Sequence, residues 1–313
     1  MRVLVTGGAG FIGSNLVWSL LSGGHEVGII DDLSTGSFGN VHPAAWFRTL
    51  DITGPALADA VSEFGPDVVV HLAAQTSVPA SLKDPELDRL VNVEGTRAVA
   101  RAARAAGARR MLSASSAAVY GQPVAVPLIE ESEKHPCNPY GESKLEAESV
   151  IAAELRGSGT DFASLRFANV YGPRQDWRGE GGVVAIFTAQ MNAKKAPIIY
   201  GSGQQTRDFI YVGDIVGAIE AALEVDGALA LDGADGPAYN ISTGLEVNLE
   251  ELASALRLTV GYYGPIEHAE AREGDIGRSA LDPTKANERL GWSAVAPLET
   301  GLGRTATWLA REQ

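Results

Sequence analysis

Tyr140 and Lys144 stand four residues apart in the stretch NPYGESK (138–144). Asn138 can cap a helix N-terminus and Pro139 fits a first helical turn, which predicts a helix over 139–156 with Tyr140 and Lys144 on one face. Two roles fit that pair: a surface tyrosine packed along a lysine stem, or a phenol acting as a base with an ammonium beside it. A free phenol titrates near pH 10, so a base useful at neutrality must be lowered by roughly three pH units, about 4 kcal/mol. A neighbouring cation lowers it electrostatically.

A second chemical signal opens the chain. TGGAGFIG (6–13) spaces Gly7, Gly10 and Gly13 between an apolar strand-like run and a helical pattern. Glycines allow a tight turn and close backbone approach, and the helix N-terminus that follows points N–H groups at a pyrophosphate. Asp31 ends the second apolar run, where a carboxylate accepts both ribose hydroxyls of an adenosine and repels a 2′-phosphate. Asp32 follows it and no arginine stands in DDLSTG (31–36), which favours NAD over NADP. Asp51, in LDI (50–52), is placed either near the adenine edge or in a solvated loop.

The elements that must position these groups alternate. RVLVT (2–6), EVGII (26–30), DVVVHLA (67–73), RMLSASS (110–116) and FASLRF (162–167) read as buried strands. Helical segments over 11–23, 55–64, 87–107 and 139–156 separate them, predicting an α/β fold: a doubly wound parallel sheet with helices on both faces. Beyond residue 170 the rhythm breaks, with helices over 183–194, 214–224 and 248–256 and short strands between them. The expected division is a dinucleotide-binding domain over 1–170, with later returns near 207–243, and a smaller mixed α/β substrate domain over 171–313.

The bulk numbers narrow the partners. Of 313 residues, 45% are hydrophobic and 20% charged, as in an ordinary globular protein. A net charge of -14 leaves no basic surplus for a nucleic acid, although an anionic small molecule needs only one or two placed arginines. The single cysteine, Cys137, forms no intramolecular disulfide, and no metal cluster is indicated. No apolar run is long enough to span a membrane, and the chain starts on a strand without a basic leader, so a cytoplasmic protein is expected.

Taken in order, the glycine turn, Asp31, HLAA (71–74), SSAAVYG (115–121), YGESK (140–144) and NVYGPRQ (169–175) resemble the extended short-chain dehydrogenase/reductases. Within them the chain is most similar to the nucleotide-sugar 4-epimerases, especially those acting on UDP-glucose and UDP-galactose. The resemblance implies a catalytic group of Ser116, Tyr140 and Lys144, with Tyr140 as base, Lys144 tuning it and bonding the nicotinamide ribose, and Ser116 serving the sugar O4. Ser115 is the fallback for Ser116, and either serine alone reads as a strand-end cap. It also implies cofactor contacts from Phe11 and Ile12 in the glycine turn, Asp32, Asp51 and Ile52, the backbone of Leu72, Ala73 and Ala74, and Asn92. The positive nicotinamide ring of NAD adds to the lowering of the phenol.

For the substrate half, the resemblance implies that Arg207 and Arg272 bind the diphosphate and Asp275 the nucleotide ribose. It also implies that Asn169 bonds the substrate near the reacting sugar or the diphosphate and that Val78 contacts the substrate. By the same resemblance Val183 and Phe209 flank the base and its ribose, although both also suit a core. Ala117 and Ala118 stand where sugar dehydratases carry Asp and Glu, which argues against elimination. Asp176 stands where some uronate epimerases carry arginine, which favours a neutral hexose. Ser279 replaces a bulky tyrosine of hexose-restricted relatives, which enlarges the pocket near C2 and predicts tolerance of an N-acetyl group. The expected reaction is C4 epimerisation of an NDP-hexose, a UDP-sugar in the first place, through a 4-keto sugar with bound NAD. The alternatives are a uronate 4-epimerase, another NDP-sugar-modifying enzyme, or a non-catalytic NAD-binding protein. Helices 87–107 and 139–156 resemble those that pair in family homodimers.

Overall fold

The computed structural model describes residues 1–178, 182–229, 237–271 and 275–312. Arg272 therefore lies outside the described residues. The first half alternates as its pattern predicts, with strands β1 (Arg2–Thr6), β2 (Glu26–Asp31), β3 (Trp46–Thr49), β4 (Val68–His71), β5 (Arg110–Ser116) and β6 (Asp161–Phe167). Helices α1 (Phe11–Ser22), α2 (Leu57–Phe64), α3 (Val78–Lys83), α4 (Pro85–Arg89), α5 (Thr96–Ala105) and α6 (Pro139–Leu155) connect them. Asn138 caps α6, its Oδ1 accepting the Gly141 N–H at 2.9 Å, and Pro139 occupies the first turn.

Later strands are short: β7 (Asn169–Tyr171), β8 (Ile198–Tyr200), β9 (Thr206–Arg207), β10 (Phe209–Tyr211), β11 (Ala238–Ile241), β12 (Val247–Asn248) and β13 (Glu267–Ala269). They alternate with α7 (Val183–Asn192), α8 (Val212–Glu224), α9 (Leu249–Val260), α10 (Thr284–Leu290) and α11 (Leu298–Glu312).

One seven-stranded sheet, ordered β11-β6-β5-β4-β1-β2-β3 and parallel throughout, organises the molecule. Both of its faces are covered, and successive side chains show it. Val3, Val5, Val68 and Val70 point into one core with Leu16 and Leu20 of α1 and Ile215 and Ile219 of α8. Leu4 and Val69 point into the other with Val61 of α2, Val99 of α5 and Ile151 of α6. A strand buried on both faces has no polar alternation to show, which is why these runs are continuously apolar. A third core gathers Phe187 of α7, Leu252 and Leu256 of α9 and Leu302 of α11 beside β7 and β10.

The structure corrects one element. The expected helix over 87–107 is not continuous: α4 ends at Arg89, and residues 90–95 form a π-helical turn before α5. Such turns free backbone groups and cluster at functional sites. Here the Asn92 carbonyl accepts the Thr96 hydroxyl at 2.6 Å. The final fifty residues contain the fifteen-residue α11. Among the described residues, no helix is long and apolar enough to cross a membrane, and no group of three or more His, Cys, Asp or Glu could hold a metal ion.

Candidate active site

The carboxyl edge of the sheet collects the candidate residues, as expected for an open parallel α/β sheet. Strand β5 ends at Ser116, whose Oγ accepts the Ala118 N–H at 3.1 Å and caps the 3-10 turn Ala117–Tyr120. That turn is pressed against the start of α6. A Cβ on Gly141 would stand 2.7 Å from the Ala118 carbonyl oxygen, so only glycine permits the approach. The contact sets Tyr140 beside Ser116, whose hydroxyl acts to lower the phenol. Ser115 faces the other way, donating to Glu148 Oε1 at 2.5 Å.

Lys144 lies one turn along α6 and is buried. Its ammonium donates to the Ala114 carbonyl at 3.1 Å and stands 6.0 Å from the centre of the Tyr140 ring. An ammonium has three protons, so two remain for other acceptors. Burial draws the Lys144 pKa down to about 8, against Asp88 and Glu148, which raise it.

The expected lowering of the phenol, by Lys144 and the nicotinamide ring together, is not supplied by the protein's own groups. Burial raises Tyr140 above its ordinary value, the Ser116 hydrogen bond opposes that rise, and Asp88 adds to it. At 6.0 Å from the ring centre, the ammonium does not offset desolvation of the phenolate.

The glycine turn fits a dinucleotide, but its three glycines answer different demands. Gly7 has φ +71, and a Cβ there would stand 2.6 Å from Ala73 N, while a Cβ on Gly13 would overlap the Gly7 carbonyl. Both serve the protein's own packing. Around Gly10, a Cβ would meet only the Gly7 carbonyl oxygen, at 3.2 Å. Gly10 is the N-cap of α1 and no side chain caps it, so the positive end of the helix is open to an anion. Gly10→Val, acceptable at φ -80 and ψ -174, is therefore expected to cut retention of NAD through purification by about tenfold or more. Its thermal midpoint should move by only a few degrees, roughly 1 kcal/mol or less. Unchanged NAD content, read by absorbance after denaturation, would remove Gly10 from the cradle.

Asp31 closes β2, its Oδ2 accepting the Ala9 N–H and its Oδ1 the Leu33 N–H, both at 2.9 Å. Two of roughly four lone-pair positions remain for ribose hydroxyls. Asp32 turns back to Ser34, and Asp51 is exposed, bonding the Thr53 N–H and hydroxyl, each at 2.8 Å. Ile52 is buried in the second core, close against Gly95. Phe11 and Ile12 begin α1, and Leu72, Ala73 and Ala74 leave β4 half-buried beside the Gly7 turn. Asn92 lies beneath them, its Oδ1 accepting the Gln75 N–H at 2.9 Å.

The substrate candidates are only partly brought together. Arg207 and Asp275 pair at 2.5 Å, and Arg207 also donates to the carbonyls of Thr206 at 2.8 Å and Ile276 at 2.6 Å. Asn169 is exposed on β7, Val78 begins α3, and Ser279 is half-buried. Phe209 is buried in the third core with Val183 packed against it, the core role both also suited. Exposed Asp176 accepts the Arg178 N–H at 2.9 Å. Cys137 is exposed in the loop before Asn138.

Sequence reasoning missed a layer of polar side chains beneath the site. His71 of β4 is buried between Thr6 Oγ1 at 2.7 Å and Thr96 Oγ1 at 3.0 Å. Burial, then the Lys144 charge, draws its pKa down to about 3, so the ring is neutral at pH 7. Asp88, Gln75 and Ser143 complete the layer. The one sequence signal for Asp88 is its place four residues before Asn92, one helical turn away.

Fold and site together place the protein among the dinucleotide-dependent enzymes of the extended short-chain dehydrogenase/reductase class. The narrower assignment follows from comparison: the model of the NAD dependent epimerase/dehydratase family matches residues 3–242, and the chain belongs to that family. It is 42% identical over 311 residues to a UDP-glucose 4-epimerase of Mycolicibacterium smegmatis, covering 97% of each chain. Among solved structures it resembles the UDP-glucose 4-epimerase of Thermotoga maritima with UDP-glucose, at TM-score 0.92 and 36% identity, over 100% of this chain and 99% of the other. The Thermus thermophilus UDP-glucose 4-epimerase in complex with NAD matches at TM-score 0.90 and 36% identity, over 99% of each chain.

Proposed function

We propose that the protein interconverts the C4 epimers of a nucleotide-diphosphate hexose, UDP-glucose and UDP-galactose foremost, through a 4-keto sugar. The observation that carries this reading is Tyr140 on α6, its ring centre 6.0 Å from the buried Lys144 ammonium, at the end of the strand that carries Ser116. In it, Tyr140 takes the proton of the sugar 4-hydroxyl and later returns it, while Ser116 bonds O4. Bound NAD⁺ would supply the hydride acceptor and donor for C4, and its positive ring would lower the Tyr140 phenol. Gly10, with the Phe11 and Ile12 N–H groups, holds the pyrophosphate, Asp31 the adenosine ribose, and Lys144 the nicotinamide ribose. Arg207, shared with Asp275, meets the substrate diphosphate, joined by Arg272, and Asn169 meets the sugar side.

Ala117 and Ala118 carry no group that transfers a proton, which speaks against elimination across C5 and C6. Half-buried Ser279 leaves room for an N-acetyl substituent, so UDP-GlcNAc is included among the substrates. The reading extends to a cytoplasmic homodimer. It is supported by the resemblance of α4–α5 and α6 to family dimer helices and by exposed Leu82, Leu87 and Leu90 on that side; sedimentation measures that state.

An NMR assay of the purified protein on UDP-Glc, UDP-GlcNAc and UDP-GlcA tests the reaction. Inversion at C4 is expected for the first two and not for the third. Turnover of UDP-Glc without UDP-GlcNAc removes the inference from Ser279. No turnover of any of them, with NAD bound, removes the proposed activity.

A further inference from the structure

We propose that Asp88, a carboxylate buried beneath the catalytic helix, is a positioning and counter-charge residue for Tyr140 and Lys144. The proposal rests on the reading of Tyr140 as the base and Lys144 as its tuner.

The geometry is specific. Asp88, the penultimate residue of α4, is only 1% exposed, and among the described residues no arginine or lysine forms a salt bridge with it. Ser143 Oγ donates to its Oδ2, Gln75 Nε2 donates to its Oδ1 at 2.5 Å, and Asn92 Nδ2 lies 3.3 Å from Oδ1. Ser143 has a single hydroxyl proton, and the Tyr140 carbonyl lies 3.0 Å away as a competing acceptor. The charged oxygen takes the stronger bond. Asn92 has two amide protons for three acceptors: the Gln75 carbonyl at 3.0 Å, Ser143 Oγ at 3.0 Å and the more distant Asp88. Asp88 therefore grips α6 between Tyr140 and Lys144 through Ser143, and holds the loop after β4 through Gln75.

A neutral amide could serve as a clamp alone, and a buried carboxylate costs several kcal/mol unless its charge is used. The groups facing Lys144 show where that charge acts. Glu148, on α6, is neutralised by Arg166, which pairs with it at 2.7 Å. His71, on β4, is neutral. Tyr140 is tied to Asp88 through Ser143, whose Oγ lies between the Tyr140 carbonyl and Asp88 Oδ2. Asp88 is thus, among the described residues, the anion beneath the site without an arginine partner, and it favours the protonated forms of both Lys144 and Tyr140.

The sign follows. Loss of the Asp88 charge lowers both pKa values, so both limbs of the kcat/KM profile move to lower pH together. The test compares Asp88→Asn and Ser143→Ala as NAD-loaded enzymes. It also titrates the Tyr140 phenolate by ultraviolet absorbance, as a difference against Tyr140→Phe. Asp88→Asn should shift both limbs and the phenolate titration acidwards by about one pH unit or more. Ser143→Ala, which keeps the charge, should lower kcat several-fold and leave both limbs in place. Coincident titrations of Asp88→Asn and the parent protein overturn the counter-charge role. Parental kcat in Ser143→Ala overturns the positioning role, even if Asp88→Asn fails to fold. If Tyr140→Phe proves active, the base assignment falls instead, and the phenolate titration, which needs no turnover, still decides Asp88.

Discussion

Tyr140→Phe keeps its bound NAD and loses turnover by a factor of about 10² to 10⁴, the usual worth of a positioned acid–base group. Only the phenolic oxygen is removed. The ring stays on α6 beside Lys144, and Ser116 keeps the Ala118 N–H as a partner. Neither the glycine turn nor the cap on α6 depends on the hydroxyl. The loss should therefore fall on kcat, with KM for the nucleotide sugar changed little. Steady-state kinetics on UDP-Glc, with the NAD content of the same preparation, measure both. Near-parental kcat would remove Tyr140 from its assigned role.

The largest loss of stability is expected at Arg166. This side chain of β6 is 1% exposed, and its guanidinium grips Glu148 through two hydrogen bonds of 2.9 and 2.7 Å. It also donates to the Tyr120 hydroxyl and the Glu130 carbonyl, both at 2.9 Å. Burial opposes its charge, but the Glu148 hydrogen bonds and carboxylate outweigh that and hold its pKa above the ordinary value. Arg166→Ala leaves Glu148 charged and unpaired in the interior, with the Glu130 carbonyl and Tyr120 each short of a donor. About 3–5 kcal/mol should be lost, and the thermal midpoint should fall by about 10 °C. Adding Glu148→Gln should restore part of it, because the stranded charge is then gone. Denaturant unfolding of both variants reads this directly, and a loss under about 1 kcal/mol for Arg166→Ala would show that the pair contributes little.

What could be read in advance was local. The βα rhythm, the glycine turn, the capped helix and the Tyr140–Lys144 spacing each lie within a few neighbouring residues, where period and turn chemistry are decisive. What could not be read depends on partners far apart in the chain. Asp88 is identified by Ser143 and Gln75, which only the packing of α6 over α4 brings to it. The π-turn LVNVEG joins α4 to the alanine-rich α5 with no glycine or proline break before Gly95, so the pattern reads as one helix. Arg207 and Asp275 are 68 residues apart, and their mutual pairing leaves no mark on either local sequence. Gly141 had a readable position but an unreadable reason, the close approach of the Ala118 carbonyl.

The outermost strand of the large sheet comes from late in the chain. Strand β11 pairs with β6 from Ala238–Ser164 to Ile241–Phe167, and α8 covers the face behind α1. The large parallel sheet is thus closed by residues translated after β7–β10, α7 and α8. A polypeptide cut near residue 170 keeps six of the seven strands but bares the flank of β6, an unshielded edge of the kind that templates aggregation. During synthesis the nascent sheet must wait, open on that flank, until about residue 241 has emerged.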